Sequence, residues 1–429
     1  MTPEDNSSVL TEREKHLQRR IKELTTLYEV SKILTSALSL DKALKAVVET
    51  TARMMGVKAC GLRLLDESTG EMVLKAVYGL SQEYIHKGRV CVWKGVYKDV
   101  ILNGNASIVS DVSTDPRFEY TEEAVTEGIK SMLSVGLMVQ DRPIGALSVY
   151  TDRHHLFTRD QVRIFKGIAN EAASVIERAM LYEERMQSQR TEQELSAASR
   201  IQANLMPQRS PELPGYQIAA RNVPSRMVGG DFYDFIPFDE SHLGLVIADV
   251  SGKGIPGAIL MASARASLRA YLEDPHSVRG VITRLNHIMC RDTQPDQFVS
   301  LFYGMLDTAD GTITYTNAGH NAPVIFRGNE RILLEQGGPI LGVLPDTLYE
   351  DAIIQLIEGD MILFYTDGIT EAERNARYFG VERLMKIVHD SISKSSNGVI
   401  ETVFDEVVQF SSNSPQSDDR TLVVLKRLG

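Results

Sequence analysis

Four stretches in the second half of the chain share one design: an apolar run of the kind found in buried strands, with aspartate at its end. They are "MVGGDFYDF" with Asp231 and Asp234, "LGLVIADVSGKG" with Asp249, "MILFYTDGITEA" with Asp367, and "SPQSDDRTLVV" with Asp418 and Asp419. A carboxylate at the end of such a strand is costly unless it is paired or bound to a cation. Strand ends from distant parts of a chain can converge on one edge of a fold. Several carboxylates meeting there repel one another unless cations neutralise them. A donor set made only of oxygen suits Mg²⁺ or Mn²⁺ rather than Zn²⁺, and no HExxH motif or other histidine cluster competes. Each aspartate alone also suits turn or cap chemistry, Asp-Gly being a common turn. The four together point to a metal site.

The stretch "IADVSGKGIPGA" invites a second reading, as a phosphate-cradling loop. That loop needs G-x-x-x-x-G-K-[ST]. Ile247 stands where its first glycine belongs, and Gly254 replaces the hydroxyl residue after Lys253. Asp249 is therefore the residue of interest. Gly252 and Gly254 permit a tight exit from the strand, Pro256 suits a first helical turn, and Ala258, Ala262, Ala266 and Ala270 form a small-residue stripe along which the helix is expected to pack.

The first half reads differently. Residues 1 to about 16 are polar; Leu17, Ile21, Leu24 and Tyr28 then recur at helical spacing. "LDKALKAVVETTARMMG" predicts a helix, and "KACGLRLLD" with "EMVLKAVYG", then "SMLSVGLMV" with "PIGALSVYT", predict antiparallel hairpins. A long helix follows, with Thr158 as N-cap and Gln161 three residues on. Ile168, Ala172, Val175, Ala179, Tyr182 and Met186 predict a heptad seam; it turns polar at Gln189 and Gln193 and resumes at Leu195, Ala198, Ile201 and Leu205. That break in register is either a signalling element or a plain spacer. Pro207, Pro211 and Pro214 end the helix, and many short strands with inserted helical pairs follow, an α+β design.

The segments "LYEVSKILTSALSLDKALKAVVETTARMMGVKACGLRLLD", "SMLSVGLMVQDRPIGALSVY" and "FTRDQVRIFKGIANEAASVIERA" together resemble a GAF domain. That resemblance implies an antiparallel sheet with flanking helices that binds a small ligand or serves as a dimerisation module. No ligand residue carries across, and Cys60 and Cys91 read as buried or incidental rather than as chromophore attachment sites. From about residue 198, "AASRIQANLMPQRSPELPGYQIAARNVPSRMVGGDFYDF", "IADVSGKGIPGAILMA", "TNAGHNAP", "LFYTDGITEA" and "DDRTLVV" closely resemble the bacterial SpoIIE/RsbU-like branch of the metal-dependent protein phosphatase 2C family. The resemblance implies an αββα sandwich with two Mn²⁺ or Mg²⁺ ions and hydrolysis of phosphoserine or phosphothreonine on a protein. In this branch the usual substrate is a STAS-type anti-sigma antagonist or similar regulator.

Carried over residue by residue, the resemblance makes Asp231, Asp249, Asp367 and Asp418 the catalytic, metal-holding set. Asp249 would bridge both ions, the Val250 carbonyl would complete one site, and Asp419 is the fallback for Asp418. Asp234 reads as structural, His320 as a turn-stabilising residue rather than a general acid, and Arg226 as either a phosphate ligand or an ordinary surface arginine. The expected organisation is a tail and short helix at 1–21, a GAF sensor at 22–180, a helical coiled-coil linker at 181–206 and a catalytic domain at 207–429, assembled as a homodimer through the linker. The alternative is a ligand-responsive dimeric scaffold without catalysis.

Charge and composition narrow the rest. A net charge of −11 argues against a nucleic-acid partner. Three scattered cysteines without a CxxC argue against a disulfide frame or zinc site and point to a reducing cytoplasm. No apolar run approaches the roughly 20 residues of a membrane span, and the first residues lack the pattern of a signal peptide.

Overall fold

The computed structural model describes residues 40–272, 277–412 and 414–428. The seam Leu17–Tyr28 lies outside them. The chain divides into two compact units, meeting at Arg190 and Thr191.

The first unit runs α1 (Leu40–Met55), β1 (Ala59–Asp66), β2 (Glu71–Tyr78), α2 (Gln82–Ile85), α3 (Gly95–Asn103), β3 (Ser107–Val109), α4 (Thr121–Thr126), β4 (Ser131–Val139) and β5 (Arg142–Thr151), then enters α5 (Arg159–Leu205). Its sheet has the order β2-β1-β5-β4-β3, antiparallel throughout, and contains both expected hairpins. Val47 and Val48 of α1 and Phe165, Ile168, Ala172 and Ile176 of α5 pack with Leu62, Leu133 and Leu147 of the sheet. Val96, Val100 and Ile101 of α3 belong to a second cluster with Met132, Ala146 and Tyr150. β1 is therefore buried on both faces over its first six residues and shows no polar alternation. The N-cap of α5 forms the expected reciprocal pair: Thr158 N–H donates to Gln161 Oε1 (2.9 Å), and Gln161 N–H to Thr158 Oγ1 (3.2 Å).

The heptad reading of α5 needs correction. Ile168, Ala172 and Val175 are buried in the first unit's own core, so they are not free to form a seam with another helix. Tyr182, further along, is exposed. The helix itself is continuous through the polar stretch at Gln189 and Gln193.

The second unit continues with β6 (Tyr216–Val223), β7 (Phe232–Pro237), β8 (His242–Val250), α6 (Ile255–Ala270), α7 (Val278–Asp292), β9 (Val299–Asp307), β10 (Thr312–Ala318), β11 (Val324–Arg327), β12 (Glu330–Leu333), β13 (Gly337–Gly338), β14 (Ala352–Gln355), β15 (Met361–Tyr365), α8 (Asp367–Thr370), β16 (Glu373–Arg374), β17 (Arg377–Tyr378), α9 (Val381–Asp390), α10 (Ser396–Ser411) and β18 (Arg420–Arg427). Two sheets result. One has the order β13-β10-β9-β8-β7 with β14 also on β10; the other runs β12-β11-β15-β18-β6. Ile247, Phe302 and Ile313 of the first share a core cluster with Ile325, Phe364 and Val423 of the second. The opposite face of the first sheet packs on α6 and α7, and that of the second on α9 and α10. This is the αββα sandwich.

One local expectation fails. The buried stripe of α6 is Gly257, Leu260, Met261, Ala264 and Leu268, while Ala266 and Ala270 are exposed. Burying the larger apolar side chains removes more surface from water than burying the alanine row would. "LYEDAIIQL" and "DMILFYTDG", adjacent in sequence, go to different sheets: β14 pairs β10, whereas β15 lies between β11 and β18.

Candidate metal and catalytic site

The acidic residues come from four strand ends. Asp231 immediately precedes β7, Asp249 is the penultimate residue of β8, Asp367 follows β15, and Asp418 and Asp419 precede β18. Register brings them together. Phe232 pairs Ala248 in the first sheet, and Tyr365 pairs Leu422 in the second, so all four ends lie at one edge of the sandwich. The two sheets are joined there by Asp231, which is buried. Its Oδ2 accepts hydrogen bonds from Thr366 Oγ1 (2.6 Å) and Thr421 Oγ1 (2.7 Å).

Glycines allow this closeness. A Cβ on Gly230 would stand 2.6 Å from the Val250 carbonyl oxygen, and one on Gly368 would stand 1.9 Å from the Asp419 carbonyl oxygen. Either side chain would drive backbone from backbone.

Electrostatics mark the cluster. Burial and then the charges of Asp367 and Asp418 push the Asp249 carboxyl up to about 7. Burial, Asp418 and Glu371 push Asp367 up to about 6, with Lys253 opposing. Burial and the Asp249 charge raise Asp231 well above the carboxylate range, against the two threonine hydroxyls. These are carboxylates gathered without enough positive charge. Lys253 supplies part of it: Nζ stands 2.8 Å from Asp418 Oδ2 and donates to the Ser417 carbonyl (2.7 Å). An ammonium thus already lies on the acidic edge, where a cation is favoured.

Asp418 and Asp419 are not equivalent. Asp419 Oδ1 accepts from Ser225 N–H (2.6 Å) and Ser225 Oγ (2.9 Å), and Oδ2 from Gly230 N–H (2.6 Å). Both its oxygens hold the chain that leads into Asp231. Asp418 accepts from the Asp419 N–H (2.9 Å) and from Lys253. Asp234 lies apart from the cluster: fully buried, it pairs with Arg265 (3.0 Å) and Arg269 (2.7 Å) of α6.

His320 is buried, with Nδ1 2.9 Å from Ser300 Oγ and its backbone N–H donating to Asn317 Oδ1 (2.7 Å). Burial pushes its imidazole down to about 4, so it is neutral near pH 7. Arg226 is exposed, its Nη1 3.6 Å from where a Cβ on Gly254 would be, beside the loop after Asp249. Cys60 is buried, and burial raises its thiol pKa, which removes thiolate chemistry.

Thr366, Thr421, Ser225 and Lys253 were not singled out as site residues from the sequence. Thr366 and Thr421 sit inside "TDG" and "DDRT" beside the aspartates, which is the signal that was available. Among the described residues no three carboxylate, imidazole or thiol groups close on one point as a finished cation cage. The donor chemistry nevertheless fits a hard divalent cation: oxygen-only, partly buried and mutually repelling.

Fold and site define a class, the PP2C-type sandwich with an acidic edge. The fold is that of the SiaA-PP2C domain of Pseudomonas aeruginosa, with a TM-score of 0.50 at 21% identity over 56% of this chain and 98% of that one. Residues 239–428 match the family described as Stage II sporulation protein E (SpoIIE), and residues 37–177 match the GAF domain family. The chain carries a GAF domain followed by a SpoIIE-family domain of the PP2C type. It is 29% identical over 264 residues to protein IcfG of Synechocystis sp., covering 54% of this chain and 41% of that protein. It is 27% identical over 241 residues to the phosphoserine phosphatase RsbU of Bacillus subtilis, covering 56% of this chain and 71% of that protein. The chain thus spans less than half of IcfG.

Proposed function

We propose that the chain is a divalent-cation-dependent protein phosphatase acting on phosphoserine or phosphothreonine. The observation that carries this reading is the mutually repelling set of buried Asp231 and half-buried Asp249 and Asp367, with Asp418 beside it, at one edge of the sandwich. Asp231, Asp249, Asp367, Asp418 and the Val250 carbonyl are the groups to hold two Mn²⁺ or Mg²⁺ ions. When bound, such ions supply an activated water near neutral pH and offset charge on phosphoryl oxygens. The protein's own groups arrange the rest. The Thr366 and Thr421 hydroxyls orient Asp231, and Lys253 orients Asp418. Asp419 fixes the Ser225–Gly230 segment, and Arg226 on that segment is the proposed phosphate ligand.

The similarity to a protein named phosphoserine phosphatase supports phosphoserine, and a STAS-type anti-sigma antagonist or similar phosphorylated regulator is the proposed substrate. The first unit is proposed to act as a sensor of a small ligand, to signal through α5, and to assemble as a homodimer. Among the described residues no helix is long and apolar enough to cross a membrane. Phosphate release from p-nitrophenyl phosphate and from phosphoserine peptides, with and without Mn²⁺, tests the reading. Asp249→Asn and Asp367→Asn should each lower the Mn²⁺-dependent rate by about a hundredfold or more; unchanged rates in both variants refute it.

A further inference from the structure

The hairpin after the Asp367 turn carries a like-charge pair. β16 and β17 have two residues each and form a sheet of their own, in which Arg374 stands directly opposite Arg377. Like charges directly opposed across antiparallel strands destabilise the pair. The tip adds to the cost: Asn375 and Ala376 have φ of 52° and 58°, and alanine, unlike glycine or asparagine, is disfavoured there. The hairpin's base is fastened to the short helix that follows the acidic site. Phe379 N–H donates to the Ala372 carbonyl (2.8 Å) and Gly380 N–H to the Thr370 carbonyl (2.8 Å), closing it onto α8, which begins with Asp367.

The groove beside the hairpin gathers more positive charge. Arg374, Arg377, Arg383 and Lys386 line it against only Asp390 and Glu406, on a chain whose net charge is −11. The Arg383 guanidinium lies 4.7 Å from the Phe410 ring centre and 5.5 Å from that of Phe379. Aromatic faces hold it in place and leave its charge unneutralised. None of the four cations takes part in an ion pair found among the described residues; the neighbouring pair is Arg331 with Glu382.

We propose that this groove docks an acidic segment of the phosphoprotein substrate, with Arg374 and Arg377 as its specificity-determining pair. The word substrate rests on the phosphatase reading; the docking of an acidic peptide does not. Unlike charges steer such a segment to the groove and hold it beside the Asp367 edge.

The test uses the full chain and two labelled phosphoserine peptides of equal length, one flanked by Asp and Glu, the other by Ser and Gly. Binding is read by fluorescence anisotropy at low salt, and turnover by kcat and KM with Mn²⁺. The wild type should prefer the acidic peptide about tenfold, mainly through KM, and added salt should erase the preference. Arg374→Glu turns the like pair into an attractive one, so its melting temperature should hold or rise while the preference for the acidic peptide is lost. Turnover of p-nitrophenyl phosphate should stay unchanged. An arginine pair that merely supports the fold would behave in the opposite way. Equal binding of both peptides by the wild type overturns the proposal, as does a preference that survives Arg374→Glu. So does a single-stranded oligonucleotide that outcompetes the acidic peptide. If the wild type turns over no phosphoester, the phosphatase reading fails, and the anisotropy preference still decides the groove.

Discussion

Asp231 joins the two sheets through two hydroxyls, and its behaviour follows from them. Thr366 and Thr421 both donate to Oδ2, which fixes the carboxyl's orientation before any cation arrives. Replacing both with valine should weaken Mn²⁺ affinity by about tenfold to a hundredfold, as loss of orienting partners does at metal sites, and calorimetry reads it directly. The same cluster predicts a conflict between stability and function. Asp249→Asn removes a charge that its neighbours repel, so the metal-free variant should be more stable than the wild type near neutral pH, by about 1 kcal/mol or more, when urea midpoints are compared.

His320 gives a pH dependence. Its folded-state pKa of about 4 lies below the ordinary 6.5. Above 6.5 both folded and unfolded states hold it neutral and its contribution to stability is complete. As pH falls toward 4 the unfolded chain binds a proton that the folded one refuses, and up to about 3 kcal/mol is lost. His320→Gln should flatten that part of the stability profile, measured by hydrogen exchange in β9 and β10. The acidic residues themselves were legible in the sequence because a carboxylate closing an apolar strand has few ordinary explanations. The roles of Asp418 and Asp419 were not, since they turn on where the Gly230 N–H falls, 189 residues away.

At the scale of elements, strand patterning carried most of the fold. The hairpins of the first unit and the strands bearing Asp249 and Asp367 were legible from apolar runs bounded by turn residues. The partnering of β14 and β15 was not, because a five-residue connection between two strands does not say whether they share a sheet. The α6 stripe differs from the alanine row for a related reason: alanine spacing shows which residues could approach closely, while burial follows the larger side chains. A close backbone contact supplies a prediction. Gly368→Ala would place a methyl on the Asp419 carbonyl, pushing α8 from the segment that enters β18 at the site. The second unit should lose about 1–3 kcal/mol in urea unfolding, and Mn²⁺ binding should weaken with it.

For the whole molecule, the order of a GAF unit and a SpoIIE-type unit was legible from combined motifs, whereas the role of the long helix was not. Half of its apparent seam, Ile168 to Val175, serves the first unit's core. The proposed homodimer would therefore use other surface, and Leu181 and Tyr182, both exposed on α5, are available for it. Light scattering should give a dimer mass for the full chain and a monomer mass for Leu181→Glu with Tyr182→Glu. The central claim, that the acidic edge of the second unit holds divalent cations for catalysis, is most directly tested by calorimetric titration of the full chain with Mn²⁺. Two bound ions in the wild type, with at least one lost in Asp249→Asn, is the predicted result. A wild type that binds no Mn²⁺, or an Asp249→Asn variant that binds as the wild type does, would contradict it.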